Sequence, residues 1–245
     1  MVGSAQSTSG PMFVLNTIVA DVLKEIADEL EKSTNVKTAV QKILDKISKE
    51  HRRVIYNGDN YTEEWAKEAI KRGLPNIKST VESLKTIMDE ENVKLFVTHK
   101  VLSKAELKAR TEILLDAYGM TINIEAKTTL NMAQRQILPV AIEYSGKLAK
   151  AIESISNAGT DPGAQKKSLI KTCELISELN SSIDELKKAA AVAIDIDNTA
   201  KKAENFRDYV VPAMSNVRKA ADSLEMIVDA KLWPLPTYAE MLFIK

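Results

Sequence analysis

Apolar residues recur along most of this chain at the three- and four-residue steps that place them on one face of a helix. Leu15, Val19, Val22, Ile26 and Leu30 are separated by 4, 3, 4 and 4 positions. They predict a helix from Pro11 to about Lys32 with one apolar stripe. Pro11 suits the first helical position, where a missing N–H costs no intrahelical bond. Val36, Val40, Ile43 and Ile47 predict a second helix from about Asn35 to Glu50. The run Asn57-Gly58-Asp59-Asn60 then reads as a turn. Thr62 is placed to cap a helix carrying Trp65, and Gly73 with Pro75 beyond it should stop that helix. Short helices are predicted over 79–86 and 90–98.

The second half reads as three long helices. Ser103 and Glu106 have the spacing of a capping box, opening a helix that extends to about Ser156. Pro139 should kink or break it, because proline lacks the N–H and crowds the preceding turn. Ile137, Ala141, Tyr144, Leu148, Ala151 and Ile155 form its seam. After the loop at 157–163, Leu169, Ile176, Leu179, Ile183, Leu186 and Ala190 mark a helix over about 164–191. Phe206, Val210, Ala213, Val217, Ala221, Leu224 and Val228 mark the last, over about 197–231, with Pro212 placed to bend it. Near-heptad seams favour antiparallel packing. The expected fold is mainly α: a long antiparallel helical bundle plus shorter N-terminal helices, with at most a short strand at the N-terminus. The expected division is 1–100 for the N-terminal region, 101–232 for the bundle and 233–245 for a tail. Trp233, Leu235, Tyr238, Met241, Leu242 and Phe243 would be costly to leave in water, so the tail is expected to dock.

Composition narrows the partners. The 34 basic and 34 acidic residues balance, so no net field favours nucleic acid or an anionic membrane. The paired lysines at 166–167, 187–188 and 201–202 are interleaved with acids and read as solvated faces. No run of about 18 apolar residues occurs, so no transmembrane helix is expected. No secretory leader is evident. Cys173 is the single cysteine, which fits a reducing, cytoplasmic compartment.

The residues offer little chemistry. His51 and His99 are the only histidines, and neither has partners at zinc-site spacing. Cys173, without a nearby histidine, reads as a small buried hydrophobe. Asp195-Ile196-Asp197-Asn198 starts like a calcium loop but lacks its glycine and distal glutamate, and reads as a helix cap. Gly10-Pro11 reads as a helix start rather than an anion site. Asp59, Glu63 and Glu64 fit a turn and an acidic first helical turn. The Glu-x-x-His pairs of di-iron bundles are missing. From the residues alone, a free-standing helical interaction or regulatory protein is a fair reading.

Longer blocks point elsewhere. Tyr56-Asn57-Gly58-Asp59-Asn60-Tyr61-Thr62-Glu63-Glu64-Trp65 with Lys71-Arg72-Gly73-Leu74-Pro75-Asn76 is one. Lys100-Val101-Leu102-Ser103-Lys104-Ala105-Glu106-Leu107, with Ile122-Asn123-Ile124-Glu125-Ala126 beyond, is another. Gly3-Ser4-Ala5-Gln6-Ser7 through Gly10-Pro11 and Leu15-Asn16-Thr17-Ile18-Val19-Ala20, then Phe206-Arg207-Asp208 with Val211-Pro212-Ala213-Met214 and the closing Trp233-Pro234-Leu235-Pro236-Thr237-Tyr238, complete the set. In this order the chain resembles the C-terminal region of type III glutamine synthetases. The resemblance implies ATP-dependent ligation of ammonia to glutamate through γ-glutamyl phosphate, with Mg or Mn. It implies stacked rings of subunits, so that the rest of the subunit and its neighbours are the partners. It places the catalytic glutamates and arginines before Met1. No catalytic residue, metal ligand or cofactor is therefore expected in this chain, which should be inactive alone. Ser4, Gln6 and Ser7 would lie near the substrate by adjacency only.

Overall fold

The computed structural model describes residues 7–242, and the chain folds into helices with no strand among them. It divides into two compact units that meet in sequence at Thr111 and Glu112.

The first unit begins with α1 (Ser9–Glu31) and α2 (Val36–Glu50). Asn35 caps α2 by accepting from the Thr38 N–H at 3.2 Å. After a single 3₁₀ turn come α3 (Glu63–Lys71), α4 (Thr80–Thr86) and α5 (Glu90–Thr98). Thr62 caps α3 and Ser79 caps α4, each accepting the N–H three residues on. Gly73, at φ 71°, ends α3, and the Leu74 N–H reaches back to the Ala69 carbonyl at 2.9 Å. The same wrap ends α5, but there Lys100 takes the left-handed position at φ 53°. The buried apolar side chains of this unit, among the described residues, are Ile43, Ala69, Val81, Phe96 and Leu107.

The apolar stripe of α1 is open over its first turns, while Ile26 and Leu30 further along are half-buried. Leu15, Val19 and Val22 are 60%, 55% and 45% exposed. α1 packs instead through Phe13, whose ring meets Phe96 edge-on at 5.7 Å, and through buried Thr17. The Thr17 hydroxyl bonds back to the Phe13 carbonyl at 2.7 Å, which removes the cost of burying it.

α6 (Lys104–Met132) runs from the first unit into the second. Its start is the expected capping box: the Ser103 hydroxyl accepts from the Glu106 N–H, while the Ser103 N–H donates to Glu106 Oε2 at 2.7 Å. The second unit continues with α7 (Leu138–Asn157), α8 (Gly163–Ile194), α9 (Thr199–Asn205), α10 (Val211–Glu225) and α11 (Tyr238–Leu242). α8 packs against both α7 and α10. Ala126, Ile137, Ala141, Leu175, Leu179, Ile183, Leu186, Phe206, Val217 and Leu224 lie in its core. Leu232, Trp233 and Leu235 pack against that core, whereas Tyr238 and Leu242 are exposed.

Neither Pro139 nor Pro212 breaks its helix. Each follows one widened π turn, over Ala133–Ile137 and Phe206–Val210. There the Leu138 N–H bonds to the carbonyl of Ala133, and the Val211 N–H to that of Phe206, five residues back. Proline clashes with the carbonyl four residues before it, here Arg135 and Asp208. The π turn holds both, so the chain absorbs the ring by widening locally.

Candidate functional site

The stretch that singles this chain out folds around one guanidinium. Tyr56 lies just before the turn and Trp65 in the first turns of α3, and their rings stack with centroids 4.3 Å apart. Arg72, at the end of α3, sits 5.8 Å and 5.7 Å from the same two rings. Its Nε donates to Glu68 one helical turn back at 2.7 Å. Its Nη1 donates to the carbonyls of Ile55 at 2.8 Å and Arg53 at 3.3 Å. Those carbonyls belong to the segment that leads into the turn, so Arg72 ties the turn to the helix. The hydrogen bond from Arg72 holds the Glu68 carboxyl below its ordinary range. Gly58 closes the arrangement: a Cβ there would come 2.6 Å from Tyr56 Cζ.

Arg52, Arg53, Ile55, Tyr56, Asn57 and Arg72 border an open cleft of about 680 Å³. Arg52 and Arg53 are exposed on it. Arg72 turns its Nε and Nη1 donors on the protein itself, so the motif reads as a structural clamp and not as a reacting centre.

The other candidates are scattered. Ser4 and Gln6 lie outside the described residues. Ser7 is exposed just before α1, its Oγ 2.9 Å from Ser9 Oγ. His51 is exposed at the end of α2. His99 is half-buried, and its Nε2 lies 2.6 Å from Asp21 Oδ1, joining α5 to α1. Sequence spacing gave no hint of this pair, which lies 78 residues apart. Asn198 caps α9 by accepting from the Lys201 N–H at 3.0 Å, so the Asp195–Asn198 run is a cap and not an ion loop. Cys173 is exposed, against the expectation of burial. Thr172 takes the core position instead, and one residue turns the next side chain by about 100° around the helix.

Among the described residues no group of three or more His, Cys, Asp or Glu side chains is placed to hold a metal ion. The donor set of the described residues does not fit a metal centre, and no reaction step is assigned to this chain's own residues.

Comparison with known proteins supplies what the geometry does not. The family model for the glutamine synthetase C-terminal domain matches residues 39–156. A type-3 glutamine synthetase of Dictyostelium discoideum is 35% identical over 253 aligned residues, covering 100% of this chain. The chain belongs to the type III glutamine synthetase family. A glutamine synthetase of Bacteroides fragilis (strain YCH46) is 28% identical across 99% of the chain, and one of Butyrivibrio fibrisolvens 31% identical across 85%. These alignments span only 34%, 35% and 30% of the three relatives. The chain therefore corresponds to about a third of a type III glutamine synthetase, its C-terminal portion. No helix among the described residues is long and apolar enough to cross a membrane.

Proposed function

We propose that this chain supplies structure and subunit contacts to a type III glutamine synthetase whose chemistry is carried by the preceding two-thirds of the subunit. The observation that carries this reading is an end-to-end match to relatives about three times as long. In that setting the enzyme would use ATP and Mg or Mn to join ammonia to glutamate in the cytoplasm. The partners of this chain would be the rest of its subunit and neighbouring subunits. Ser4, Gln6 and Ser7 would lie near the substrate only because they adjoin the catalytic part. On the division expected from the sequence, residues 1–100 would be the end of the catalytic-domain region with short helices, 101–232 would form a long three-helix antiparallel bundle, and 233–245 would dock as a tail.

Two measurements test this. The purified 245-residue chain, given glutamate, ammonia, ATP and Mg or Mn, is expected to form no glutamine. Detectable glutamine would overturn the assignment of the chemistry to the preceding part. An immunoblot of the source cells is expected to show a product much larger than 27.1 kDa. A product at 27.1 kDa would instead favour a free-standing helical interaction protein.

A further inference from the structure

α1 has two faces, and the more apolar one is uncovered. Its covered face is mixed: Phe13 against Phe96, buried Thr17, and Asp21 beside His99. Arg110 lies over the Phe13 ring at 5.6 Å. The other face carries Met12, Leu15, Ile18, Val19, Val22 and Leu23, exposed by 56%, 60%, 43%, 55%, 45% and 60%. At about 100° per residue these six side chains fall within an arc of roughly 140°. That is the width of a core-facing stripe on an amphipathic helix. No charged residue interrupts it, since Asp21 points to the covered side. A continuous apolar stripe of this kind marks an interaction site rather than a solvated surface.

We infer that this face of α1 is the seat of the part of a type III glutamine synthetase subunit that precedes this chain. The inference rests on the family reading above and deepens it by naming the surface. Two observations select that occupant. α1 lies ahead of the matched C-terminal domain, which starts at residue 39. The relatives also carry about two-thirds of their length outside the match. The element nearest that missing length is thus the one with an unspent apolar face. The occupant presents an apolar surface, so α1 is sandwiched between it and α5.

The test uses a complete subunit, made from the Dictyostelium discoideum type-3 enzyme with its matching segment replaced by this chain. Amide hydrogen exchange over residues 12–23 is compared with the 245-residue chain alone. At least tenfold slower exchange in the chimera is expected, and L15E/V19E should abolish the slowing. The control M226E, at a site 83% exposed on the second unit, should leave it intact. Equal exchange in chain and chimera, with the chimera soluble and assembled, would overturn the inference while leaving the family reading in place. Slow exchange in the chain alone, with a dimer by light scattering that L15E/V19E dissociates, would assign the face to a second copy.

Discussion

The left-handed backbone at Gly73 and Lys100 offers a paired experiment. Both residues close a helix with the same backbone wrap, and both have positive φ, at 71° and 53°. Glycine takes that conformation without strain, whereas a Cβ meets the following carbonyl at a cost of about 1 kcal/mol. Gly73→Ala should therefore destabilise the chain by about 1 kcal/mol, and Lys100→Gly should stabilise it by about 0.5–1 kcal/mol. Opposite shifts in thermal midpoint check both, and shifts of the same sign would contradict the argument. A second residue-scale expectation concerns pH. The backbone N–H of Ser103, and then its hydroxyl, hold the Glu106 carboxyl below its ordinary value of 4.5. A lowered folded-state value means the stabilisation is present above 4.5 and is lost as pH falls through the folded value. Glu106→Gln should then cost stability at neutral pH and converge with the parent under acid, as followed by denaturant midpoints. Much at this scale was legible beforehand. The caps at Thr62 and Ser103 and the stop at Gly73 follow from local backbone chemistry, which a few neighbours determine. The second capping box, Thr237 with Glu240 at 2.7 Å, has the same three-residue spacing. Arg72 was not legible as a clamp, because its partners Arg53 and Ile55 are set by how the turn folds back.

Helical elements were legible by period, but the period does not say which face is covered. The spacing of Leu15, Val19 and Val22 correctly groups them on one side of α1, and that side is open in this chain. Likewise Leu179, Ile183 and Leu186 were placed correctly on the buried face of α8, while Thr172 and Ser182, also buried there, were hidden by their polarity. The π turns were not legible because proline announces a disturbance without saying how the helix absorbs it. One consequence is testable where α6 and the second π turn meet. A Cβ at buried Gly119 would lie 3.4 Å from Phe206 Cδ2, an ordinary contact distance. Gly119→Ala should thus recover helix propensity and be neutral to stabilising by about 0.5–1 kcal/mol. Gly119→Leu must displace the Phe206 ring, itself 1% exposed, and should destabilise by about 1–3 kcal/mol. Denaturant unfolding of the two variants separates these outcomes. Equal effects would mean that Phe206 does not limit this position.

At the scale of the whole chain, the two compact units hold unequal cores. In the described part of the first, five apolar side chains are buried: Ile43, Ala69, Val81, Phe96 and Leu107. The second has a continuous cluster running from Ala126 through α8 to Val228. Apolar burial stabilises by about 25 cal/mol per Å², so the isolated chain should lose its first unit at lower urea than its second. The protein carries its own reporters, since its two tryptophans, Trp65 and Trp233, fall one in each unit. Trp233→Phe leaves Trp65 to report the first unit. This change costs no protein hydrogen bond, because the buried Trp233 Nε1 has no protein acceptor among the described residues. Trp65→Phe leaves Trp233 to report the second, and phenylalanine keeps a ring for Tyr56 to stack on. Each substitution thus weakens only the unit that its remaining tryptophan does not observe. The fluorescence midpoint of Trp233→Phe should come at lower urea than that of Trp65→Phe. Coincident midpoints would mean that the continuous α6, which enters both units, couples them into one cooperative transition. The complete subunit provides a further contrast. If α1 is covered there, the Trp65 midpoint should rise in the chimera with the Dictyostelium enzyme while the Trp233 midpoint moves less, because the added burial falls on the first unit.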